Sequence, residues 1–170
     1  QIGGNLQTFK RKGIRFNSAM HFVGAMDKGQ ILHQVFKYLG ILDQTGLERL
    51  DPDQYERLFL GDREFHYSCG IKAHKERLLS YFPEEERAIS AYLEKLQEIW
   101  DSTRVLNLID FSNHLETDTQ YTQVDAFEFI DGLTENRELR ALLGMISALY
   151  AGEPGKSPLI THAIISYHYI

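Results

Sequence analysis

Apolar residues recur along this chain with two spacings, and the spacing changes several times. Residues 6–9 and 14–16 are short apolar-rich arms around Lys10-Arg11-Lys12-Gly13, the pattern of a hairpin whose turn needs a glycine. Residues 20–24 read as a short buried strand ending at Gly24. Between 29 and 39 the apolar positions are 31, 32, 35, 36 and 39, which is helical spacing, and Gly40 stands where such a helix ends. Residues 55–60 and 64–67, joined by Gly61-Asp62-Arg63, predict a second hairpin. A helix over 71–81 stops ahead of Pro83, because the residue before proline is pushed out of helical geometry. Pro83 and Glu84, Glu85 and Glu86 then open another helix, with the acids at its positive end and Ile89, Tyr92, Leu93, Leu96, Ile99 and Trp100 on its buried stripe.

The second half is read the same way. Residues 103–120 carry two readings, an extension of that helix or a separate one around 105–109. Helical spacing returns over 122–133 and 138–150, and residues 152–158, with two prolines and two glycines, predict a loop. Residues 159–170, rich in β-branched and aromatic side chains, read as a return strand. No internal repeat is present. The order predicts an α+β fold: a mixed or antiparallel sheet of short strands and hairpins with a helical subdomain.

Composition narrows the class. At 170 residues, 43% hydrophobic and 25% charged, the chain is long enough to bury a core without staples. The single cysteine, Cys69, rules out an internal disulfide and a cysteine-based zinc cluster. A net charge of −6 without a dense basic block argues against nucleic acid as a partner. The apolar run at 159–170 is short of the ~20 residues that span a bilayer. The expected location is the cytoplasm or the periphery of a membrane, and the basic turn at Lys10, Arg11 and Lys12 reads either as a solvated hairpin turn or as a contact to phosphate or an anionic membrane surface. A chain that opens on Gln1-Ile2-Gly3-Gly4 and stops inside an apolar strand is expected to be a piece of a longer protein.

Candidate chemistry is sparse. His66 and His74 fall on different predicted elements, and His162 and His168 are too far apart on a strand to share an ion, so no metal site is expected. His114, with Asp110, Glu116 and Asp118 near it, reads as a solvated loop. Cys69 has no partner signature for a catalytic thiol. His21 sits in an apolar run, as a core histidine or as a site residue. Aromatic residues make up 12% of the chain, and some of Phe22, Phe36, Tyr38, Phe59, Phe65, Tyr92, Trp100 and Phe127 are expected to line an apolar slot.

Several segments together resemble one family. Gly3-Gly4-Asn5-Leu6-Gln7-Thr8-Phe9 is similar to the twin-glycine segment of the amine-oxidase and phytoene-desaturase flavoproteins. Gly13-Ile14-Arg15-Phe16-Asn17-Ser18-Ala19-Met20-His21-Phe22-Val23-Gly24 resembles the G-x-x-F-D-x-G-x-H-Y-V-G stretch of the retinol saturase and carotenoid isomerase branch. Leu78-Leu79-Ser80-Tyr81-Phe82-Pro83-Glu84-Glu85-Glu86-Arg87-Ala88-Ile89-Ser90-Ala91-Tyr92 is similar to that branch's L-x-x-x-F-P-x-E-x-x-A-I-x-x-Y helix start, and residues 150–159 resemble its late loop. Asn17-Ser18-Ala19 departs from D-x-G, which puts any role for that acid or glycine in doubt.

The resemblance implies an FAD-dependent oxidoreductase of the CH–CH type, with NAD(P) as a further cofactor, acting on a polyene or isoprenoid lipid. It implies that Gly3 and Gly4 approach the cofactor, and it makes His21 the candidate catalytic residue. The G-x-G-x-x-G dinucleotide loop is absent from the chain, so the isolated piece is expected to hold no FAD and to be inactive. Residues 1–24 would be the edge of the FAD-binding part, 25–158 the mainly helical substrate part, and 159–170 the return strand. The expected partners are an apolar small molecule, the FAD-binding domain of the same parent chain, and a second copy through surface left exposed. The competing reading is a non-catalytic lipid- or protein-binding α+β module.

Overall fold

The computed structural model describes residues 4, 7–18, 22–103 and 119–170. Two antiparallel two-stranded ribbons and six α-helices give an α+β fold among these residues. Strands β1 (Thr8–Arg11) and β2 (Ile14–Asn17) pair with Phe9 opposite Phe16 and Arg11 opposite Ile14. Only Lys12 and Gly13 form the turn, at φ 50° and 81°. That is a primed turn, whose twist matches the strands, and glycine takes the second left-handed position without strain. The expected four-residue turn is thus shorter, and Lys10 and Arg11 are strand residues. Every residue of this ribbon is exposed.

Helix α1 (Ile31–Tyr38) ends before Gly40 as its spacing predicts, yet none of its side chains is fully buried. The N-terminal segment reaches the rest of the fold through Gly24 and Ala25. The Ala25 N–H donates to the His168 carbonyl at 3.1 Å. A Cβ on Gly24 would stand 2.1 Å from that same carbonyl oxygen, so only glycine permits the approach. Phe22 packs edge-on against Tyr169, with ring centroids 4.9 Å apart. The strand expected over 20–24 does not form at residues 22–24, and residues 20 and 21 lie outside the described residues.

The core sits on α3 (Glu86–Ser102). Strands β3 (Glu56–Leu60) and β4 (Arg63–Tyr67) form the second hairpin, and α2 (Ile71–Tyr81) follows, ending ahead of Pro83. One turn of 3-10 helix from Pro83 to Glu85 leads into α3, whose Ala88, Ile89, Tyr92, Leu93, Leu96 and Ile99 are buried. Full burial of such aliphatic side chains stabilises by roughly 1.5–3 kcal/mol each. Trp100 is only half-buried and stacks on Tyr167. Of the ambiguous stretch 103–120, Thr103 caps α3 and residues 104–118 lie outside the described residues.

Helix α4 (Ala126–Leu133) starts later than the spacing predicts, because Asp125 caps it, accepting from the Phe127 and Glu128 N–H groups. Helix α5 (Arg137–Gly144) is capped by Asn136 in the same way, and residues 145–150 continue as 3-10 helix beyond Gly144, a poor helix former. The expected helix over 138–150 is therefore two pieces.

The return strand expected over 159–170 is instead helix α6 (Leu159–Tyr169). Its buried positions are Leu159, His162, Ala163 and Ser166, a helical series hidden in the sequence because two of its members are polar. Helix α6 packs on α3 and α4, and an isolated bridge joins Asp125 to Pro158 at its start.

Candidate functional site

Buried polar side chains of α2 (His74), α3 (Tyr92) and α6 (His162 and Ser166) lie close to the C-terminal end of α5. Two tyrosine hydroxyls reach the C-terminal end of α5, where the Leu142 carbonyl also accepts the Met145 N–H. Tyr67 donates to the Leu142 carbonyl, and Tyr92 donates to the Leu143 carbonyl at 3.2 Å. Tyr92 also lies 2.9 Å from Nε2 of His162, and the Tyr150 hydroxyl lies 2.9 Å from Nδ1 of the same ring.

One proton arrangement satisfies the Leu143 carbonyl and both nitrogens of His162 together. In it Tyr92, whose hydroxyl also lies 3.4 Å from Ser166 Oγ, gives its one proton to the Leu143 carbonyl. Nε2 of His162 then carries the ring proton and donates to Tyr92, and Nδ1 accepts from Tyr150. Burial holds the His162 pKa down at about 4, so the ring is neutral near pH 7. Burial also raises the Tyr92 hydroxyl well above its ordinary range and pushes Tyr150 up to about 12. The arrangement is a satisfied network of neutral groups, with Ser166 Oγ 3.3 Å from Nε2 at its edge.

Beside this network lies a cavity of about 20 Å³, room for one water-sized group. Tyr55, Tyr67, His74, Tyr92, Ser166 and Tyr169 form its aromatic and polar wall, and leucines of α2 and α5 with Ile146 and Ile170 the rest. His74, only 3% exposed, has its ring edge-on to Tyr67 at 4.9 Å. Burial lowers its pKa to about 4, and its Nδ1 has no hydrogen-bond partner.

The residues singled out from the sequence are scattered. Gly3 and His21 lie outside the described residues, as do Asp110, His114, Glu116 and Asp118. Gly4 is exposed, at φ 48°, with no atom within 4 Å of where a Cβ would stand. Among the described residues, Gly4 alone of the twin glycines can be placed, and it forms no cradle for a flavin dinucleotide by itself. Of the eight aromatics expected around a slot, Tyr92 alone lines the cavity; Phe65 is core, and Tyr38 and Phe59 point to solvent. His66 faces Glu64 at 3.1 Å, well apart in role from buried His74. No group of three or more metal-ligating side chains gathers among the described residues. Burial pushes the Cys69 thiol up, away from the thiolate that a nucleophile needs.

Sequence reasoning missed the pairing of His162 with Tyr92 and Tyr150. The available signal was His162 and Ser166 four residues apart inside an apolar run, which on a helix places both on one face.

Among the described residues, no helix is long and apolar enough to cross a membrane. No family model and no solved structure matches the chain. Curated relatives do. The chain is 26% identical, over 192 aligned residues, to the all-trans-retinol 13,14-reductase of Danio rerio, an alignment covering all of this chain and 31% of that protein. It is 27% identical to the Homo sapiens and Rattus norvegicus proteins of the same name, again over its whole length and over 30% of theirs. The chain thus spans about three tenths of the length of the curated relatives it matches. The resemblance carried by the ordered segments is therefore a similarity along the entire chain to proteins named as retinol reductases.

Proposed function

We propose that this chain supplies the substrate-side portion of an FAD-dependent oxidoreductase that acts on a polyene or isoprenoid lipid, a retinol-like alcohol among them. The observation that carries the reading is the whole-length similarity to all-trans-retinol 13,14-reductases. Their printed name describes adding hydrogen across one carbon–carbon double bond of a polyene alcohol.

Two features of the chain support this division of labour. The sequence has no dinucleotide-binding loop, so the flavin would be held by the rest of the parent protein. The cavity takes one water-sized group, whereas a slot for a lipid-sized ligand spans ~300 Å³ or more. The substrate would then lie between this portion and another. The exposed apolar residues of the first ribbon and of α1 give that second portion a surface to cover. What the chain's own residues contribute is position and exclusion of water.

Visible absorbance tests the reading. Purified after loading with FAD, the chain is expected to be colourless and to show no turnover. The full product of its gene is expected to be yellow, with a flavin band. A full product that stays colourless after FAD loading overturns the proposal.

A further inference from the structure

A neutral imidazole has one nitrogen that donates and one that accepts, and a buried one seeks partners for both. His162 meets this condition with two tyrosine hydroxyls. His74 does not. It is 3% exposed, and although the Ser68 backbone lies beside the ring as a hydrogen-bonding neighbour, Nδ1 is left buried without a partner. Leaving such a group unsatisfied is unfavourable, because the hydrogen bond it made to water is lost without replacement. The other buried, unpartnered ring nitrogens among the described residues, on His33 and His66, belong to residues that do not line the cavity.

The cavity beside His74 matches what the ring lacks. It holds one water-sized group, and it is rimmed by the hydroxyl-bearing residues Tyr55, Tyr67, Tyr92, Ser166 and Tyr169. Tyr67 has given its proton to Leu142, so its oxygen remains as an acceptor, while the Tyr92 oxygen is engaged with His162. The half-buried Tyr55, Tyr169 and Ile170 mark the side on which the cavity approaches the surface.

We infer that this cavity is a hydroxyl-binding niche, in which one O–H group bonds to the His74 ring. Two sources supply that chemistry: a water molecule, or the alcohol end of a lipid whose chain lies outside the cavity. The niche follows from the geometry alone. The alcohol as its occupant rests on the oxidoreductase reading. A charged carboxylate or phosphate has no cation here to pair with, since no lysine or arginine lines the cavity.

Nitrogen NMR on the chain labelled with ¹⁵N-histidine reads this directly and needs no substitution. At pH 7 the His74 ring is expected to show one protonated nitrogen and one unprotonated nitrogen displaced from the free position by a hydrogen bond. All-trans-retinol and its methyl ether, which lacks the O–H, are then added in turn. A shift with retinol and none with the ether identifies the alcohol, and retinol should bind ~10-fold more tightly than the ether, as one hydrogen bond predicts. A hydrogen-bonded nitrogen that neither compound moves supports the niche with water in it, and leaves the oxidoreductase reading to its own test. A free acceptor nitrogen, a doubly protonated ring, or an equal response to both compounds overturns the inference.

Discussion

His162 has no exposed surface and both of its ring nitrogens filled, so its removal takes the acceptor from Tyr150, while Tyr92 keeps the Leu143 carbonyl. His162→Ala is expected to cost about 2–4 kcal/mol, from the cavity it leaves and the Tyr150 hydroxyl it orphans, read as a lower urea midpoint. The loss should fall on stability without changing the helical content of what remains folded. The same burial sets a pH dependence. His74 and His162 both have folded pKa values of about 4 against an ordinary 6.5. Between these values the unfolded chain binds protons that the folded one refuses, so stability falls as pH drops through that window. Each group contributes on the order of 3 kcal/mol over the full range. Melting temperatures recorded from pH 7 down to 4.5 should decline steadily, and a flat profile would contradict burial of neutral rings.

At the scale of elements, the start of α4 and the start of α6 are one structure. Asp125 caps α4 with one carboxylate oxygen, and with the other it accepts the Ser157 N–H at 3.1 Å. Burial works to raise its pKa, but N–H groups of Glu128, Ser157, Gly155 and Phe127 outweigh it and hold the carboxyl below its usual range. Its contribution is therefore present above the ordinary carboxylate value and disappears as pH falls through the lowered one. Asp125→Ala should cost about 1–2 kcal/mol by denaturant titration, whereas Asp125→Asn retains much of the cap. Gly24→Ala tests a different junction. The added Cβ collides with the His168 carbonyl, and the Ala25 amide, now bonded there, should lose its protection from hydrogen exchange while α3 amides keep theirs.

These elements differ in how far the sequence discloses them. The α3 stripe, the second hairpin and the stop before Pro83 are legible because each rests on a local rule: period, turn glycine or proline sterics. Helix α6 is not, because β-branched residues mask a helical period whose buried face includes a histidine and a serine. Tertiary packing against α3 and α4 overrides local preference there. Likewise the Tyr67 and Tyr92 hydroxyls meet α5 across 75 and 51 residues of chain, a distance no local pattern spans.

At the scale of the molecule, the N-terminal ribbon and α1 stand apart from the core. Phe9 and Phe16 stack on each other at 5.3 Å while remaining 52% and 42% exposed, and Ile14 beside them is 61% exposed. Exposed aromatic surface of this kind favours association, so the purified chain should show concentration-dependent self-association by light scattering. Phe9→Ser with Phe16→Ser should shift it toward monomer without lowering the urea midpoint of the core. A clean monomer at all concentrations would remove the case for a covering partner. The account as a whole stands on the chain being the substrate-side part of a lipid oxidoreductase. The most direct test is the mass of the retinoid recovered after the full gene product, loaded with FAD and supplied with a reductant, is incubated with all-trans-retinol. A product two hydrogens heavier is the expected result, and unaltered retinol from a flavin-loaded, folded protein would contradict it.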